Sequence, residues 1–127
     1  MLRVVSPAFF DGDTLQSRAF QDQSAGVAAS FGLAGPCASV NLQSVWEAHG
    51  GNVNALLEAF GPGSRIAQVA VRDLRNLVNS LDQPMPQGIM SDPRPDAPWH
   101  AVMFSLAGGN RSKGAMRAVV EVAHWFT

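Results

Sequence analysis

Five of the chain's eight prolines lie in one stretch, DQPMPQGIMSDPRPDAPW, residues 82–99, and this stretch limits the fold more than any other feature. Proline lacks a backbone N–H and restricts the residue before it, so neither a long helix nor a central strand can run through the stretch. Only a brief strand over 88–90 fits within it. We predict a surface loop that separates a helical first part from a strand-rich last part, in one domain of residues 1–127.

Apolar spacing predicts helices in the first part. From residue 38 to the Gly50-Gly51 pair, apolar residues recur at helical intervals, and the glycines would end that helix. Further helices are predicted over about residues 14–31, 53–60 and 64–81, the second of them capped by Asn52.

The last part predicts an antiparallel hairpin. HAVMFSL (100–106) and MRAVVEVAHWF (116–126) are rich in β-branched, aromatic and other apolar residues, and turn-forming residues lie between them at 108–114. Leu2 to Val5 predict a short N-terminal strand. The expected fold class is therefore α+β.

Composition excludes several classes of function. Nine Lys and Arg are scattered among ten Asp and Glu, for a net charge of -1, so there is no basic stripe for nucleic acid or acidic lipid. The apolar runs are too short to cross a bilayer, and the first residues do not resemble a signal peptide. We expect synthesis in the cytoplasm, with any secretion by a signal-peptide-independent route. No metal or nucleotide cofactor is expected, because paired ligand spacing and a glycine-rich phosphate loop are both missing.

Cys37, the chain's one cysteine, follows Gly35-Pro36 and precedes a predicted helix. A thiol in the first turn of a helix lies among unpaired backbone N–H groups at the positive end of the helix dipole, which favours the nucleophilic thiolate. The same N–H groups can stabilise an oxyanion on an attacked carbonyl. Cys37 is therefore a candidate nucleophile. The alternative is a buried cysteine that packs as a small hydrophobic residue.

A nucleophilic cysteine needs a general base, and three histidines are available. His49 would lie about 18 Å from Cys37 along the predicted helix, which is too far. His124 is expected to be a partly buried residue at a sheet edge. His100 opens a predicted strand directly after the proline stretch, and strand alternation puts it on one face with Val102. His100 is therefore the candidate base.

Together these features resemble the papain-like cysteine peptidases, and especially compact bacterial branches such as the staphopains and the bacteriocin-processing peptidases. GPCASVNLQSVWEAHGGNVNALLEAF is similar to the family's cysteine helix, and WHAVMFSLAGG is similar to its histidine strand. The resemblance covers residues 34–125. It implies a papain-like fold, in which N-terminal helices, one of them beginning at the cysteine, pack on a small C-terminal antiparallel sheet. It also implies a catalytic dyad of Cys37 and His100.

The resemblance implies further site residues, although the chain departs from the family's pattern. The family commonly has an oxyanion-hole glutamine six residues before the cysteine, where this chain has Phe31, so Gln23 is the candidate instead. The family's residue that orients the histidine would be Asn110 or Glu121. Trp99, next to the candidate base, would bind substrate.

The implied reaction is attack of the thiolate on an amide carbonyl, as in a peptidase, a peptidoglycan amidase or a glutaminyl deamidase. A small version of such an enzyme resembles a bacterial secreted effector or toxin. Its partners would be a protein or peptide substrate and an immunity or inhibitor protein. The alternative is a non-catalytic protein-binding module, such as an immunity or adaptor protein, in which Cys37 belongs to the core.

Overall fold

A six-stranded antiparallel sheet organises the part of the chain that the computed structural model describes, which is residues 1–20, 37–58, 60–106 and 113–126. The strands are β1 Leu2–Val5, β2 Phe10–Asp11, β3 Thr14–Leu15, β4 Ala38–Asn41, β5 Arg65–Gln68, β6 Gln87–Ser91, β7 His100–Ser105 and β8 His124–Trp125. The α-helices are α1 Gln43–Ala48, α2 Val53–Leu57, α3 Val71–Arg75 and α4 Lys113–Val122. Short 3-10 helices span Pro7–Phe9 and Ser17–Phe20.

The order of strands in the sheet is β6-β7-β4-β1-β5-β8, and each neighbouring pair is antiparallel. Strands β2 and β3 form a separate two-stranded hairpin. The register of β4 against β7 runs from Ala38 opposite Met103 to Asn41 opposite His100. This register decides which polar side chains meet at the centre of the sheet.

The two faces of the sheet bury different side chains, because successive residues of a strand point to opposite faces. The first face, here called the core face, packs against Phe20, α3 and α4, and its strand residues include Val5, Ala38, Val40, Ala67, Ala101 and Met103. The second face, here called the site face, carries Leu2, Val4 and Ile66, which cluster with Trp46, Leu56 and Trp99. Alternation places Ser39, Asn41 and His100 on the site face.

The predicted papain-like arrangement is wrong. The helices are short and lie between and after the strands, so the fold is not a set of N-terminal helices packed on a small C-terminal sheet. The predicted C-terminal hairpin is also wrong, because residues 113–122 form α4 and only His124–Trp125 form a strand, which pairs with β5. Burial at 115, 116, 118 and 119 has helical spacing, and this spacing outweighs the β-branched composition.

The predicted cysteine helix is wrong at its start. Residues 38–41 form β4, and α1 begins only at Gln43. Ala38 and Val40 point to the core face while Ser39 and Asn41 point to the site face, so the apolar residues at 38 and 40 follow a strand's period of two. The predicted helix over 64–81 likewise divides into β5 and the short α3. That over 14–31 begins instead with β3 and a 3-10 helix, and its remainder lies outside the described residues.

Several local predictions are confirmed. β1 spans residues 2–5 as expected, β6 includes the brief strand at 88–90, and β7 begins at His100. The Asn52 side chain caps α2 by accepting a hydrogen bond from the Asn54 N–H at 2.9 Å. Among the described residues, no helix has the length and apolar character that a membrane span requires.

Candidate active site

The register of β4 and β7 brings Ser39 and His100 together. Ser39 lies opposite Val102 and Asn41 lies opposite His100, so Ser39 and His100 are diagonal neighbours on the site face. The Ser39 Oγ lies 2.8 Å from the His100 Nε2. A hydroxyl hydrogen-bonded directly to an imidazole is an arrangement that can serve as a nucleophile and its general base.

The proline stretch supplies a carboxylate to the other ring nitrogen of His100. It is not the predicted surface loop between helical and stranded parts, because it holds β6 and a tight connection between β6 and β7. Arg94 and Ala97 exchange two backbone hydrogen bonds of 3.0 and 3.1 Å within this connection, and the Asp92 N–H donates to the His100 carbonyl at 2.9 Å. The Asp92 Oδ2 consequently lies 2.9 Å from the His100 Nδ1.

The hydrogen-bond partners of the ring assign its tautomer. The Asp92 backbone carbonyl, 3.3 Å from Nδ1, and the ionised Asp92 carboxylate can only accept, so Nδ1 carries a proton and donates it to that carbonyl, with Oδ2 close beside it. In the neutral ring Nε2 is then the acceptor of the Ser39 O–H. The chain of contacts runs from Ser39 Oγ through the imidazole to the Asp92 carboxylate, in the order that base-assisted nucleophilic attack requires.

The carboxylate and the ring are largely shielded from water. The side chains of His100 and Asp92 are 11% and 20% exposed, respectively. The same Asp92 Oδ2 lies 3.3 Å from Nη2 of Arg94, which is more exposed. Reduced access of water strengthens the electrostatic interaction between the ring and the carboxylate, and this helps to hold the imidazole in one orientation.

A cavity of about 500 Å³ lies beside Ser39 and His100 on the site face. Its apolar lining comes from α2, the segment after it and the proline stretch, and includes Leu56, Phe60 and Trp99. This volume is in the range of sites that hold small molecules or part of a larger substrate.

Arg3 lies at the same cavity and holds β4 in place beside it. Its Nε donates to the Ala19 carbonyl at 3.1 Å, and its Nη1 donates to the Ser39 carbonyl. The guanidinium thus brings a permanent positive charge to the backbone of the candidate nucleophile.

The structure places Cys37 away from His100. Cys37 is fully buried and clusters with Met90, Val102 and Phe104. Asn41, the residue opposite His100, lies four residue steps from Cys37, which is about 13 Å along an extended strand. Its position immediately before a strand also removes the helix N-terminus on which the predicted activation of the thiol depended.

Trp99 lines the cavity, next to His100 in sequence, and its ring lies 6.1 Å from that of His49 in an edge-on contact. The His49 Nδ1 bonds to the Val45 carbonyl at 2.8 Å. His124 contacts the Gln68 side chain at 3.1 Å near the opposite edge of the sheet. Of the three histidines, His100 is the one that lies between a hydroxyl and a carboxylate.

The other candidate residues do not join this group in the described part of the chain. Glu121 lies on α4, whose buried residues pack on the core face, and it lines a different, smaller cavity together with Asp73. Glu121 therefore lies on the opposite side of the sheet from His100. Gln23 and Asn110 lie outside the described residues.

The sequence-based search did not identify Ser39 or Asp92. Its available signal for Ser39 was the alternation of ASVN, in which Ser39 and Asn41 form the polar half of a strand. Asp92 directly precedes Pro93, a position where an extended backbone and a turn are favoured. Neither signal identifies a site until the register with His100 is known.

Within the described residues, no group of three or more His, Cys, Asp or Glu side chains is arranged to hold a metal ion. Comparison with protein-family models, curated proteins and solved structures gives no significant match.

Proposed function

We propose that this protein is a hydrolase of esters or amides in which Ser39 is the nucleophile, His100 the general base and Asp92 the residue that orients the base. One observation carries the proposal: a hydrogen bond of 2.8 Å joins Ser39 to His100, and a contact of 2.9 Å joins the His100 ring to the Asp92 carboxylate, at the wall of a cavity. A hydroxyl, an imidazole and a carboxylate are the groups that act as nucleophile, base and orienting residue in such hydrolases.

The reaction proceeds in two stages. The Ser39 Oγ attacks the substrate carbonyl carbon while Nε2 of His100 takes the hydroxyl proton, and the Asp92 carboxylate stabilises the imidazolium that forms. The imidazolium then gives this proton to the leaving alkoxide or amine, so that an acyl-serine ester remains. In the second stage, water gives a proton to Nε2 and its oxygen attacks the acyl carbon. The proton returns to Oγ as the acid departs.

This proposal keeps the reaction class, the protein or peptide substrate and the base inferred from the sequence, and changes the nucleophile. A cysteine hydrolase that uses Cys37 remains a prediction, but the burial of the thiol and the pairing of His100 with Ser39 support the serine instead. A serine nucleophile also extends the substrates to carboxylic esters, which are easier to cleave than amides.

Covalent labelling with a fluorophosphonate probe tests the proposal. We expect one probe adduct, located on Ser39 by peptide mass spectrometry, and hydrolysis of an activated ester. Ser39→Ala and His100→Ala should each lower kcat/KM by about 10³-fold or more, because nucleophile and base act as a unit. Cys37→Ala is the matched control, because it also shortens a small side chain, directly before β4, and it should keep wild-type labelling.

Labelling on Cys37, or loss of hydrolysis in Cys37→Ala with retention in Ser39→Ala, would restore the cysteine as nucleophile. Absence of both labelling and hydrolysis in a protein with a cooperative thermal transition would favour the non-catalytic binding module.

A further inference from the structure

Phe60 is a large apolar side chain that the fold leaves 47% exposed at the cavity. Trp46 and Trp99, the aromatic residues of the apolar cluster on the same face, are at most 9% exposed. The backbone of Phe60 is held after α2, because its N–H donates to the Leu57 carbonyl at 2.9 Å. An exposed aromatic ring beside a cavity is a surface that an apolar part of a ligand can cover.

The apolar residues and the proposed catalytic residues Ser39 and His100 line the same cavity. Ala55, Leu56, Phe60, Ala97 and Trp99 line the cavity together with Ser39 and His100. An acyl group attached to the attacked carbonyl carbon would therefore lie within reach of these apolar residues.

The arginines of the cavity are engaged by the protein's own oxygens. Arg3 donates to the carbonyls of Ala19 and Ser39, and Arg94 contacts the Asp92 carboxylate at 3.3 Å. An anionic part of a substrate would have to compete with these partners. Glu58 and Asp96 also line the cavity, and their negative charges disfavour an anionic substrate, so burial against the apolar residues is a main source of binding energy for an acyl group.

A second cavity, of about 390 Å³, shares Ala55, Glu58 and Phe60 with the first. The two cavities therefore adjoin at Phe60. A group too long for the first cavity can continue past this ring into the second.

We infer that the site selects substrates with a bulky apolar acyl group, seated against Phe60 and its apolar neighbours, and that Phe60 is the specificity-determining residue. This inference rests on the proposed hydrolase function. The apolar group is either a straight aliphatic chain or the apolar side chain of an acyl amino acid, and two substrate series distinguish these sources.

The first series is the p-nitrophenyl esters of acetate, butyrate, hexanoate and octanoate, in which the leaving group is constant. Each methylene that becomes buried contributes about fourfold in kcat/KM, so, if the site takes a straight aliphatic chain, hexanoate should exceed acetate by at least about tenfold. Phe60→Ala should lower the hexanoate-to-acetate ratio by at least about fivefold, and Phe60→Leu should restore part of it. Val53→Ala is the matched control, because Val53 is also an exposed apolar residue of this segment but does not line the cavity, and the ratio should be unchanged.

The second series compares p-nitrophenyl esters of N-acetyl-glycine and N-acetyl-phenylalanine, which differ in one benzyl group. A preference for phenylalanine that depends on Phe60, with a flat aliphatic series, identifies a peptide-like acyl group. A preference for hexanoate that depends on Phe60, with no preference between the two amino acid esters, identifies a fatty acyl group.

Ser39-dependent hydrolysis with no preference in either series would overturn the inference and leave the proposed function standing. Equal losses for acetate and hexanoate in Phe60→Ala would also overturn it. Absence of any Ser39-dependent hydrolysis would overturn both.

Discussion

At the scale of single residues, the proposed role of His100 as a general base depends on its contact with Asp92. Its Oδ2 lies 2.9 Å from Nδ1 and its backbone carbonyl is hydrogen-bonded to the same nitrogen at 3.3 Å, so the residue holds the ring in one tautomer and orientation. A carboxamide in the same place preserves shape, but it carries no charge and can present an N–H to the ring. In the proposed reaction Asp92 therefore acts through His100, as a positioning residue.

Asp92→Asn should lower kcat/KM for an activated ester by about 10² to 10⁴-fold without loss of the folded state. Loss of the negative charge removes the electrostatic stabilisation of the imidazolium that the proposed reaction forms, and this slows the attack. Arg94→Gln is the control: it removes the competing cation and should leave the rate within a few fold. An unchanged rate in Asp92→Asn would make Asp92 a purely structural partner of His100.

Only part of this residue constellation can be predicted from the sequence. His100 and Trp99 are recognisable because they open a strand after the proline stretch, and the structure places both at the cavity. Ser39 and Asp92 are not recognisable, because a serine in a strand and an aspartate before a proline are common. Their meeting depends on the antiparallel register of β4, β6 and β7, which is a long-range property.

At the scale of elements, the sequence predicts best where one local signal is unopposed. β1, β6 and the cap of α2 fall where expected. β4 and α4 do not, since ASVNLQSVW carries both strand and helix spacing and MRAVVEV combines β-branched residues with helical burial. In both cases packing on the sheet decides between two local preferences.

The reactivity of the Cys37 thiol tests the strand that replaces the predicted helix. A fully buried thiol next to β4 reacts only when the sheet opens, so iodoacetamide should label native protein at least about 100-fold more slowly than protein unfolded in urea. An exposed thiol at a helix start would instead react rapidly in the native protein. Rapid native labelling, slowed by His100→Ala, would contradict the placement of β4.

At the scale of the whole molecule, the sheet places the larger hydrophobic core and the proposed catalytic side chains on opposite faces. The core face packs α3 and α4 with the larger cluster of buried residues, while the site face carries the three candidate catalytic side chains and the cavity. A substitution on the core face should therefore weaken folding and leave the proposed site intact in the molecules that remain folded.

Leu74→Ala tests this separation, because Leu74 is a fully buried residue of α3 in the core-face cluster. Loss of its side chain should reduce the free energy of unfolding by about 2–5 kcal/mol, measured by urea denaturation, through lost burial and the cavity left behind. Leu81→Ala is the matched control, since Leu81 is 74% exposed and its loss should cost less than about 0.5 kcal/mol. Below the unfolding transition, kcat/KM of Leu74→Ala should stay within about twofold of wild type. A parallel fall in stability and kcat/KM would show that the two faces are energetically coupled, and that the catalytic geometry depends on the whole sheet.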